Sequence, residues 1–177
     1  AAKNWGARCK RFALTRPVLA VDLRNHGQSP WSDTHSYADM AEDLSRTLTA
    51  HGGTWDVLGH SMGGKAAMML ALTEPSLIDR LIVGDIAPVT YDHDQSQFIN
   101  AMKSLDLAPL TRRSEADKAF AVEDPAVRAF LLQSLDFTEK PPSWRLNIAT
   151  LERELPKVLS FPEPRGPHMG PTLFLSG

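Results

Sequence analysis

The sequence predicts an α/β fold, a mostly parallel sheet flanked by helices and interrupted by a helical insertion, and three observations lead there. Short β-rich runs alternate with amphipathic helical patterns over the first half of the chain. From Val89 to about Pro164 that alternation stops and helical periodicities follow one another. A last β-rich run at 172–176 then closes the sequence. The 177 residues, 42% hydrophobic and 23% charged, suit one globular domain with a core of its own.

Taken in order, Trp5, Cys9 and Phe12 fall on one helical stripe, which favours a surface helix over a basic transit segment despite Lys3, Arg8, Lys10, Arg11 and Arg16. Residues 17–22 read as the first strand, and 24–30 as a loop dense in turn formers. Ser36 caps a helix with Met40, Leu44 and Leu48 at four-residue spacing, and Gly52 and Gly53 are placed to stop it. Residues 55–59 make the second strand, about 62–74 a helix halted by Pro75, and 80–85 a third, fully buried strand. In the insertion, one helix carries Phe98, Met102 and Leu105. A second carries Val127, Phe130, Leu131 and Leu135, and a third Trp144, Ile148, Leu151 and Leu155. The proline-rich stretch 162–167 is a linker to the final strand.

Composition excludes several functions. A formal charge of −2 leaves no whole-domain footprint for nucleic acid or an anionic membrane. Mean hydropathy is −0.24 and the longest apolar run, 66–72, is too short to span a bilayer. The single Cys9 excludes an intrachain disulfide framework and a multi-cysteine zinc site, and is compatible with a cytoplasmic location. The six histidines show no metal-pair spacing, so no metal is expected.

The chemistry lies in Gly59-His60-Ser61-Met62-Gly63, a G-x-S-x-G string between a buried strand and an amphipathic helix. A serine on such a sharp turn is held at a strained backbone angle with its hydroxyl exposed, and small neighbours let the adjoining turn approach. The helix N-terminus behind it favours developing negative charge, with the Met62 N–H as one oxyanion donor. A rival reading overlaps it: Gly59 to Gly64-Lys65 nearly spells a phosphate-binding loop. That loop needs Ser or Thr after the lysine to hold Mg²⁺, and the residue here is Ala66.

With these residues in place the chain resembles an α/β-hydrolase, and more closely the small esterase/thioesterase group of the bacterial YbfF type and its mitochondrial relatives. The resemblance rests on the strings at 4–6, 22–30, 36–43, 59–65, 85–88, 144–147 and 170–174, most specifically Gly59 to Lys65 and Asp85-Ile86-Ala87-Pro88. It implies a serine hydrolase that cleaves small-molecule carboxylic esters or acyl thioesters through a Ser-His-Asp triad and an acyl-enzyme, with no cofactor. Ser61 is then the nucleophile. Asp85, ending the strand after the nucleophile strand, is the favoured acid, the alternative being an acid beyond Gly177. Ser61 is the wrong nucleophile for dehalogenase or epoxide hydrolase chemistry, which needs a carboxylate there.

The resemblance places the catalytic histidine after the last strand, beyond Gly177, and the second oxyanion loop before Ala1. The sequence therefore reads as truncated at both ends and inactive in isolation. Residues 1–88 and 166–177 would be core and 89–165 a lid, offering Phe98, Met102, Phe130 and Trp144 as an acyl-binding surface, or equally as its own packing. His26 is a candidate pocket-wall residue, while His60 is expected to point away from Ser61, and His35, His51, His93 and His168 to lie at surfaces or turns. A perhydrolase or acyltransferase on the same triad, or a non-catalytic binding domain, are the alternatives.

Overall fold

In the computed structural model, which describes residues 2–92, 95–163 and 166–176, the chain starts with a 3-10 turn, Ala2–Trp5, running into α1, Gly6–Phe12. The strand expected at 17–22 does not form. A strand exists only where its N–H and C=O groups find a ladder, and no described strand pairs with this stretch. Its end is drawn into the following loop instead. The Asp22 carboxylate accepts from Ala2 N at 2.6 Å and Gln28 N at 3.1 Å, and Ser29 Oγ donates to the Asp22 carbonyl at 2.5 Å.

Helix α2, Tyr37–His51, begins at Ser36 as expected, through a reciprocal cap: Asp39 N donates to Ser36 Oγ at 3.2 Å and Ser36 N to the Asp39 carboxylate at 3.0 Å. Tyr37, Met40, Ala41 and Leu48 form its buried side, and Gly52, at φ 74°, ends it. Strand β1, Trp55–His60, helix α3, Met62–Thr73, and strand β2, Ile78–Gly84, follow as one strand–helix–strand unit. Every residue of α3 from Gly64 to Ala71 is buried, because α2 packs on one side of it and β1 and β2 on the other.

The insertion contributes α4, Ser96–Ser104, α5, Arg113–Ala119, and α6, Pro125–Leu132. Strands β3, Leu135–Asp136, and β4, Ser143–Trp144, come next, then α7, Ile148–Leu159. Strand β5, Thr172–Leu175, completes the order. A stretch expected to be wholly helical thus contains an antiparallel pair, in which Leu135 faces Trp144. Leu135 ends one expected helical stripe and Trp144 begins the next, and an apolar residue four positions from the edge of a helix fits the helix or a neighbouring strand equally well. Helix α5 had no sequence signal, since Ala116 is its one buried residue.

Packing groups the chain into two units. The first, Ala1–Asp33 with Asp94–Arg153, surrounds a cluster built from residues such as Met102, Leu110, Phe120, Leu132, Leu135 and Trp144. The loop after residue 22 belongs here because it is bonded to the segment after β4. Gly27 N donates to Arg145 O at 2.9 Å, Asn147 N to Asn25 O at 3.1 Å, and Asn147 Nδ2 to Asn25 Oδ1 at 3.0 Å. The second, Thr34–His93 with Glu154–Gly177, holds a parallel sheet in the order β1-β2-β5. These units group residues 1–33 with 94–153, whereas the sequence reading expects 1–88 together as core.

Candidate functional site

The parallel register pairs His60, the last residue of β1, with Gly84, the last of β2. Ser61 and Asp85 are therefore the next residues past two adjacent strands at one carboxyl edge, the edge at which parallel sheets carry ligands. Backbone bonds fix both turns: Ser61 N donates to Gly84 O at 2.9 Å, and Asp85 N to Leu175 O at 2.7 Å. Ser61 has φ 52° and ψ −128°, and Asp85 φ 56°. Among the described residues, the other non-glycine residue with positive φ is Asn25. Such backbone costs of order 1–3 kcal/mol per residue and persists where the surroundings over-determine it.

Two glycines make the serine turn possible, and only one of them, Gly59, is a glycine of the motif. A Cβ on Gly59 would lie 2.2 Å from Gly63 O and 2.7 Å from Gly64 Cα, so strand and helix meet there without room for a methyl group. A Cβ on Gly64 would lie 2.7 Å from Ile86 Cγ2. Gly63 meets nothing within 4 Å. Gly59→Ala is accordingly expected to prevent the turn from closing and to lower stability by several kcal/mol, whereas Gly63→Ala changes it by about 1 kcal/mol or less. Chemical denaturation of both variants checks this.

Ser61 is exposed and its side chain makes no cap bond to α3. The hydroxyl stands at the start of a helix whose first N–H groups, Met62 among them, lack intrahelical acceptors. His60 is also exposed, and its Nε2 lies 3.8 Å from Asp85 Oδ2, an adjacency the sequence did not signal. The partner strand's glycine explains it, because His60 Cδ2 would be the nearest atom, at 3.5 Å, to a Cβ on Gly84. Lys65 is 1% exposed and donates to three main-chain carbonyls, which leaves nothing for a phosphate and removes the nucleotide-loop reading.

The remaining histidines divide. His35, expected at a surface or turn, is fully buried instead, because it precedes the α2 cap and lies under α7, where its N–H donates to Glu154 Oε2 at 3.4 Å. His168 is half-buried, with Nδ1 3.1 Å from Ala71 O. His51 is exposed, and His93 lies outside the described residues. His26 is in the first unit, bridged to Leu146, with Nδ1 2.9 Å from Arg24 O, and burial holds its pKa below the ordinary 6.5.

Of the expected acyl-surface residues, all in the first unit, Met102 and Trp144 are buried in its cluster, where Trp144 Nε1 donates to Met102 O at 3.2 Å. Phe98 packs against that cluster, and Phe130 is 53% exposed. A concavity of about 390 Å³ in the same unit is lined by Lys3, Arg113, Asp136, Arg145 and their neighbours. Its lining contains none of Ser61, Met62 or Asp85, and it is not assigned to the chemistry of this edge.

Comparison with known proteins bears on the family of the chain. A mouse (Mus musculus) protein named sn-1-specific diacylglycerol lipase ABHD11 is 44% identical over 171 residues, covering 92% of this chain and 56% of its own length. Esterase YbfF of Escherichia coli is 34% identical over 180 residues, covering 98% of this chain and 68% of its own. The solved structure of a marine microorganism esterase superposes with a TM-score of 0.93 at 32% identity, over 100% of this chain and 72% of that one. The chain spans little more than half the length of several curated relatives. Among the described residues no helix is long and apolar enough to cross a membrane. The sequence profile of the alpha/beta hydrolase family matches residues 4–177, and the chain belongs to that family.

Proposed function

We propose that the full-length protein hydrolyses carboxylic esters or acyl thioesters through Ser61, with Asp85 as the acid and a histidine from outside residues 1–177 as the base. The observation that carries this reading is the pair of strained turns at adjacent strand ends, which puts an exposed hydroxyl and an exposed carboxylate at one sheet edge. In the reaction, Ser61 Oγ attacks the acyl carbon as the histidine takes its proton. The Met62 N–H stabilises the tetrahedral oxyanion, and the histidine returns the proton to the departing alcohol or thiol. Water then releases the acid from the acyl-serine by the same route. Asp85 orients the imidazole and stabilises its charged form. The names of the relatives, a lipase and two esterases, support the ester class.

The insertion is proposed as the lid over the acyl chain. Phe130 and Phe98 would carry its apolar contact and Met102 and Trp144 its packing, with His26 a wall residue. A fluorophosphonate probe, which phosphonylates activated serines with loss of fluoride, tests the reading on the full-length protein. Peptide mapping is expected to place the adduct on Ser61, and an adduct elsewhere, or none, counts against it.

A further inference from the structure

Lys65 is the side chain that ester chemistry leaves unexplained. It stands one helical turn after Ser61, and its main-chain N–H donates to Ser61 O at 3.2 Å. Removing an ammonium from water is costly unless every proton finds an acceptor, and burial lowers its pKa. Here the three protons meet three carbonyls: Val89 O at 2.7 Å, Leu159 O at 3.1 Å and Ser160 O at 2.9 Å. The rings of Tyr91 and Tyr37 flank it, with centroids 4.9 and 5.6 Å away.

Those acceptors share a place in the chain. Val89 lies on the segment that leads from β2 toward α4, and Leu159 and Ser160 lie where α7 ends and the chain returns toward β5. The Leu159 carbonyl belongs to the last turn of α7, the negative end of its dipole. The same two segments are bonded to each other, Tyr91 N to Leu159 O at 3.0 Å, and Tyr37 Oη donates to Val158 O at 2.6 Å. A residue needed only for packing would be apolar. A cation saturated by carbonyls from two separate segments is a tie.

We propose that Lys65 is a positioning residue, a clamp that fastens the two segments flanking the insertion, at Val89 and at Leu159-Ser160, to the helix that starts at Ser61. Substrate binding that depends on the insertion then depends on Lys65, although Lys65 touches no substrate.

The test uses the full-length protein with Lys65→Met, which fills the space without donors, and Lys65→Gln, which keeps two. Limited proteolysis under native conditions is expected to cut Lys65→Met at 88–92 and 158–163 about tenfold faster than the parent, with Lys65→Gln between them. In parallel, KM for a p-nitrophenyl ester of an eight-carbon acid rises about tenfold, while kcat for the acetyl ester falls less than about threefold. The kinetic arm rests on the ester-hydrolase reading; the proteolysis arm stands without it. Cleavage at the parental rate in a folded variant overturns the clamp. So does acceleration spread evenly over the chain, which would make Lys65 an ordinary core residue. Should Lys65→Met fail to fold, Lys65→Gln carries the same readings.

Discussion

Ser61→Ala in the full-length protein is expected to lower kcat/KM for a p-nitrophenyl ester at least about 10³-fold, with no more than a few degrees of change in Tm. The size follows from the role, since removing a nucleophile leaves only the catalysis due to oxyanion donors and binding. Small structural cost follows from the geometry. Serine and alanine both carry a Cβ, so the strain at φ 52° is common to both, and the exposed hydroxyl caps nothing in α3. Activity within about tenfold of the parent, measured on a sample free of contaminating esterase, removes Ser61 from the mechanism.

Asp85→Asn is expected to lower kcat by about two to four orders of magnitude, the range in which a triad loses a correctly held imidazole. Asparagine is the informative replacement, because at φ 56° it shares the tolerance of aspartate for left-handed backbone. Alanine there would mix lost charge with added strain. The exposed pairing with His60 at 3.8 Å contributes little to stability, so the fold is expected to survive. A kcat within about threefold of the parent assigns the acid to another carboxylate.

The site's local structure was legible in sequence because it is written in short-range chemistry. A buried strand, small residues about a serine and an apolar helix define the turn at Ser61, and the next β-rich run sets Asp85 beside it. Elements that depend on distant partners were not. Residues 17–22 carry β-forming side chains but no ladder, while Leu135 and Trp144 become strands only by facing each other. His35 is polar and next to a cap, and nothing local announces that Glu154, 119 positions on, will cover it. Gly63 looked as constrained as Gly59, and only the close approach of strand to helix separates them. Lys65 resembled a phosphate ligand on its neighbours in sequence, whereas its actual partners lie 24, 94 and 95 positions away.

All three acceptors of Lys65 are main-chain carbonyls, and every amino acid supplies one. Positions 89, 159 and 160 can therefore drift in side-chain identity without loosening their hold on the ammonium. Statistical co-variation between columns of aligned sequences will pass over this contact. Its evolutionary trace should be a retained lysine with no correlated change at positions 89, 159 or 160, silent in pairwise sequence statistics for those three contacts.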